Sequence, residues 1–126
     1  RKSNSKIIII DKNEKKVHRY HFDLPEGKAA KYPSEVNIIV WLEFLEKFHG
    51  YYGTDNKPKL IEGYTEYCTV TIIDRENNLL LGSQTFSAKY KDKISKTMSR
   101  VGVGSPKTHL LRVDHQTIIN YILKNI

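Results

Sequence analysis

A chain of 126 residues with 39% hydrophobic content has the size of one independently folding domain. Its 21 Lys and Arg against 14 Asp and Glu leave a formal net charge of +7, which favours anionic partners. The aliphatic run Ile7 to Ile10 falls far short of the roughly 20 residues that span a bilayer, no stretch resembles a signal peptide, and the lone Cys68 excludes an internal disulfide. A membrane partner is therefore not expected, and the expected location is cytoplasmic.

The first element in chain order is a β-hairpin. Ile9-Ile10-Asp11-Lys12-Asn13-Glu14 runs into Val17 to Phe22, a β-branched run, a polar turn and a second extended run. Alternation puts Val17, Arg19 and His21 on one face and His18, Tyr20 and Phe22 on the other. A helix is expected next, capped by Ser34 after Pro33 and ended by Gly50 after His49. Val36, Ile39, Val40 and Phe44 form its apolar stripe, extended by Trp41, Leu45 and Phe48, while Glu35, Glu43 and Glu46 make its solvated face. The stretch from Gly50 to Gly63 reads as an exposed loop.

A second hairpin repeats the first. Ile72-Ile73-Asp74-Arg75-Glu76-Asn77 leads into Leu79 to Phe86, and Cys68 sits as a small apolar residue in the strand-like run Tyr67 to Ile73. A short helix is expected from Asp92 to Val101. A final helix is capped by Asp114, with Val113 and Ile118 as its hydrophobic staple and Ile118, Ile119, Ile122 and Ile126 as its stripe. The expected fold is thus α+β: one domain over 1–126, built as a ββα unit repeated over 6–50 and 64–104, with an antiparallel sheet packed by helices and a C-terminal helix at 114–126. The last stripe either closes the core or pairs with a second copy as a homodimer.

Charge is segregated along this plan. Between Lys89 and Arg112, seven cations (Lys89, Lys91, Lys93, Lys96, Arg100, Lys107, Arg112) face one acid, Asp92, so this stretch holds six of the seven excess positive charges. On a helix, Lys93, Lys96 and Arg100 cluster roughly 130° from Ile94, Met98 and Val101, which leaves one face to pack and one to meet anions. Gly102 can end that helix, and the amides from Gly104 onward can form an anion-binding concavity. Tyr90 lies between Lys89 and Lys91, where its ring can stack on a base.

Catalytic and metal chemistry find little support in these residues. Gly102 to Thr108 lacks the spacing of a phosphate-binding P-loop and is interrupted by Pro106. His18 and His21 would point to opposite faces of a strand, and no Cys pair or acidic cluster completes a ligand set with His49, His109 or His115. Neither a metal nor a cofactor is expected, and a phosphodiester-acting enzyme using His and Lys stays open only as an alternative.

The run Lys91-Asp92-Lys93-Ile94-Ser95-Lys96-Thr97-Met98-Ser99-Arg100, following the strand from Leu79 to Phe86, resembles an ending found in small phage and mobile-element proteins. Those proteins more often continue as a longer helix with a further arginine, where this chain has Gly102, Gly104 and Pro106. The resemblance implies a phage context, in the host cytoplasm, for proteins that bind nucleic acids, sequester signalling nucleotides or block host defence. Two functions are carried forward. One is non-enzymatic binding of nucleic acid or a phosphate-bearing nucleotide; the other is inhibition of a host defence protein by direct contact.

Overall fold

Two turns of identical chemistry organise the N-terminal and central parts of the chain. In the first, Asp11 Oδ1 accepts the N–H groups of Asn13 and Glu14 at 2.9 and 3.1 Å, and Lys15 takes the left-handed conformation at φ 57°. In the second, Asp74 Oδ1 accepts those of Glu76 and Asn77 at 3.1 and 3.3 Å, and Asn78 follows at φ 52°. An Asp that bonds the backbone two and three residues on is a standard way to reverse a chain. The internal likeness in the sequence is therefore a likeness of turns.

The computed structural model describes residues 5–52, 61–88 and 108–126. The elements are β1 (Lys6–Asp11), β2 (Lys16–Val17), a 3-10 turn (Arg19–Asp23), a second 3-10 turn (Pro33–Glu35), β3 (Val36–Tyr52), β4 (Ile61–Asp74), β5 (Leu79–Ser87), β6 (Thr108–Leu111) and α1 (His115–Lys124). The fold is α+β: a mixed six-stranded sheet in the order β2-β1-β3-β4-β5, with β6 pairing β4, and one C-terminal helix. β1 runs antiparallel to β2 and parallel to β3, with Ile10 opposite Trp41, and β6 runs parallel to β4. None of the helices among the described residues is long and apolar enough to cross a membrane.

The expected helix at 34–49 is instead the strand β3. Val36, Ile38, Val40 and Leu42 are buried in alternation, a period of two rather than 3.6. The helical stripe had borrowed Val36 and Val40 from this pattern and added Ile39 and Phe44 from both sides of it. With Val36, Ile38, Ile39 and Val40 all β-branched within five residues, χ1 crowding disfavours a helix and suits a strand. The ββα repeat therefore lacks its first helix, and β3 and β4 run into the expected loop as far as Tyr52 and from Ile61. The helix expected at 92–101 lies outside the described residues.

The first hairpin is also shorter than expected. Its return strand ends at Val17, because His18 Nδ1 accepts the Tyr20 N–H at 3.2 Å and caps the 3-10 turn Arg19–Asp23. Tyr20 and His21 are both buried as a result, and Phe22 is exposed, so the expected alternation of faces does not hold. The second hairpin, with its return strand over Leu79–Ser87, is as expected. Arg75 fastens its turn to the start of β3, donating its backbone N–H to Asn37 O and its Nη1 to Pro33 O.

The chain forms two compact units, 1–44 with 68–86 and 114–126, and 45–67 with 87–113. In the first, the fully buried side chains are Ile7 and Ile9 of β1, Ile38, Val40 and Leu42 of β3, Cys68, Val70 and Ile72 of β4, and Ile118 and Ile122 of α1. Each large aliphatic among them contributes about 1.5–3 kcal/mol by leaving water. The α1 helix is capped as expected. Asp114 accepts the Thr117 N–H and hydroxyl, and these bonds hold its carboxyl below the usual carboxylate range. Its Tyr121 ring meets Phe86 at 5.2 Å, and a side chain at Gly82 would collide with the Tyr121 hydroxyl at 2.7 Å. Of the isoleucine stripe, Ile118, Ile119 and Ile122 are buried within the chain and Ile126 is half-buried. In the second unit, Glu66 Oε1 accepts the buried Val113 N–H at 3.1 Å.

Candidate functional site

Burial on alternate residues gives the first unit a core face and an opposite face. Ile8, Ile10, Ile39, Trp41, Thr69, Thr71 and Ile73 project to the opposite face and are only half-buried. Part of this face forms a groove of about 670 Å³. Ile10, Trp41 and Ile73 give it apolar surface, Thr69 and Thr71 give it hydroxyls, and Lys12, Lys15 and Glu43 line it with charge.

The lysines come from the β1–β2 turn, and the groove is built by what holds that turn. Lys12 N–H donates to Leu42 O at 2.8 Å, and Asn13 Oδ1 accepts the Phe44 N–H at 2.8 Å, so the turn is laced along β3. Lys12 Nζ stands 3.9 Å from Glu43 Oε1 with both side chains more than half exposed, an ion pair worth little and readily exchanged for a ligand anion. Thr69 and Thr71 are positioned by the two-residue period of β4, and Thr69 Oγ1 lies 2.9 Å from Thr85 Oγ1. A flat ring, flanking aliphatic surface and two ammonium groups suit a ligand with a planar body and an anionic end.

The site residues expected from sequence fall almost wholly outside the described residues. Lys89, Tyr90, Lys91, Lys93, Lys96, Arg100, Gly102, Gly104 and Lys107 are outside the described residues, and Arg112 is exposed immediately before Val113. Both flanks of that stretch are held on β4: Ala88 N–H donates to Glu66 O at 3.1 Å, and Thr108 pairs with Glu62. Those two β4 positions are four residue steps apart, roughly 13 Å. Trp41, Thr69 and Thr71 were missed because Trp41 had been assigned to a helical stripe, although its position one residue from buried Val40 was the available signal.

A second surface, in the second unit, is aromatic. Phe48 lies edge-on to Tyr51 and Tyr64, with centroids 5.0 and 5.7 Å away, and Leu45, Phe48 and Tyr51 are about half exposed. Tyr64 Oη donates to Glu62 Oε2 at 3.0 Å; this bond, with burial and the charges of Glu62 and Glu46, pushes the phenol up. Lys47 Nζ stands 5.0 Å from the Tyr67 ring centroid. Glu46 and Glu62 make this surface a poor first choice for an anion.

The described histidine side chains make contacts within the fold. His21 is buried, its Nδ1 accepting the Ile9 N–H at 3.4 Å and its Nε2 lying 3.0 Å from Ala30 O, partners that assign the ring proton to Nε2. His49 Nδ1 lies 2.7 Å from Thr65 Oγ1, and His115 lies 5.8 Å from the Tyr20 ring; the His109 side chain is outside the described residues. Among the described residues there is no group of three His, Cys, Asp or Glu able to hold a metal ion.

His18 stacks on Phe44 at 5.1 Å, and burial pushes its imidazole below the ordinary 6.5; Arg19 adds to the shift, while Asp11, Glu14 and Asp23 oppose it. A depressed histidine lets the unfolded chain take up a proton first. Stability present above about 6.5 is therefore lost as pH falls through the folded value. A His18→Asn variant keeps a capping acceptor without titrating, so its melting temperature is expected to fall less than that of the wild type over the same acid range.

No family model matches the sequence, and no significant match was found among curated proteins or solved structures.

Proposed function

We propose that this chain is a non-enzymatic binding protein for a phosphate-bearing nucleotide, taken either free or as part of single-stranded nucleic acid. The observation that carries this reading is the groove in which Trp41, Ile10 and Ile73 offer apolar surface and Lys12 and Lys15 offer cations. A base stacked on Trp41 would gain about 1–3 kcal/mol, and lysines paired with phosphate would supply charge neutralisation. The +7 net charge, six units of it within 89–112, supports an anionic ligand by raising its local concentration. In this reading Lys93, Lys96 and Arg100 add phosphate contacts, and Gly102 and Gly104 allow close backbone approach.

Fluorescence anisotropy with a labelled single-stranded oligonucleotide, competed by a mononucleotide, tests the proposal and separates the two sources of the ligand. The Lys12→Ala, Lys15→Ala double variant is expected to reduce the slope of log affinity against log salt by about 1.4, two phosphate contacts at about 0.7 each on single strands. Wild-type affinity and salt slope in that variant, and likewise in a Lys96→Ala, Arg100→Ala variant, would contradict it.

A second reading rests on the aromatic surface. Leu45, Phe48 and Tyr51 are exposed beside Glu46 and Glu62, a combination better suited to a protein than to a phosphate chain. An inhibitor of a host defence protein, in keeping with a phage context, would use it. Capture of a partner that survives nuclease treatment and is lost in Phe48→Ala would favour this reading over the first.

A further inference from the structure

The two outer edges of the sheet in the first unit are treated differently by the sequence. On the β1 side, the edge is closed: Ile7 exchanges backbone hydrogen bonds with Lys28 and Ala30, β2 covers Ile10 and Asp11, and β2 itself has only two residues, one of them Lys16. Short, charged edge strands are how natural sheets avoid pairing with another chain. At the other end of the strand order among the described residues lies β5, nine residues long, Leu79–Ser87, without a charge or a proline. Its first two residues, Leu79 and Leu80, are 56% and 64% exposed, and as neighbours on a strand they point to opposite faces.

We infer that β5 is a self-pairing edge, on which a second copy of this chain adds its own β5 antiparallel through a two-fold axis. A two-fold needs only one sequence to be compatible with itself, and an uncharged strand meets that condition in a chain whose net charge of +7 opposes self-association elsewhere. The partner strand covers one leucine above the sheet and the other below it on each copy. Ile118, Ile119 and Ile122 of α1, already buried within their own chain, play no part.

Backbone alternation identifies the residues that would pair. Ala88 donates its N–H inward to Glu66 O, and Thr85 meets Thr69 through side-chain hydroxyls, as residues in a non-hydrogen-bonded pair do. By the same alternation the N–H groups of Thr85, Ser83 and Leu81 face outward. Ser83 stands at the middle of the strand, and its side chain is exposed.

Sedimentation velocity across the micromolar to millimolar range tests the inference without any ligand. The wild type is expected to shift with concentration from the mass of one chain to that of two. Ser83→Pro removes one outward donor, and Ser83→Lys sets like charges near the two-fold axis while leaving the backbone intact; each is expected to raise the dimer dissociation constant at least about tenfold. A wild type that stays monomeric over the whole range, or a dimer that Ser83→Lys leaves intact with its fold preserved, overturns the inference.

Discussion

Leu42→Ala is expected to lower the free energy of unfolding by about 2–5 kcal/mol, whereas Leu45→Ala, three residues further along the same strand, is expected to change it by less than about 0.5 kcal/mol. Leu42 is fully buried on the core face with Ile38 and Val40, and Leu45 is 54% exposed. Truncating Leu42 leaves a cavity between close-packed neighbours, so the loss combines transfer free energy with missing dispersion contacts. A helix over the same residues predicts the reverse ranking, because its stripe includes Leu45 and omits Leu42. Chemical denaturation of the two variants side by side therefore distinguishes strand from helix at 36–52 by which leucine matters.

Trp41→Ala is expected to weaken oligonucleotide binding by about 5-fold to 150-fold, the equivalent of about 1–3 kcal/mol of lost stacking. Trp41→Phe keeps a ring and is expected to recover part of that loss. Ring area, rather than charge, is at issue, so neither substitution is expected to alter the salt slope that Lys12 and Lys15 govern. Direct titration by anisotropy, with circular dichroism confirming that each variant folds, checks both outcomes. Equal affinities for Trp41→Ala and the wild type would remove the ring from the site.

Local chemistry was legible in the sequence where a few adjacent residues decide the outcome. The Asp11 and Asp74 turns, the Asp114 cap, the burial of Cys68 and the α+β class all depend on short-range hydrogen bonding or on a single clear period. The long strand β3 was misread because its two faces are both apolar over 38–42, and a run without polar alternation fits either period. Only pairing with β1 and β4 resolves it, and that pairing is non-local. The groove followed the same fate. Trp41, Thr69 and Lys12 come from β3, β4 and a turn, and no spacing along the chain announces that the sheet brings them together. The charge count drew attention to 89–112, which lies mostly outside the described residues, while the pairing of Ala88 and Thr108 with β4 was not foreseeable from composition.

Trp41 is the chain's only tryptophan, so its emission reports on the groove without a label. Titration of the purified protein with a short single-stranded oligonucleotide, and separately with a mononucleotide, should produce a saturable quenching of that emission, weakened by salt and by the Lys12→Ala, Lys15→Ala substitutions. Emission that stays unchanged through a range in which the oligonucleotide binds by anisotropy, or the absence of binding to either probe at low salt, would contradict a nucleotide-binding groove at Trp41.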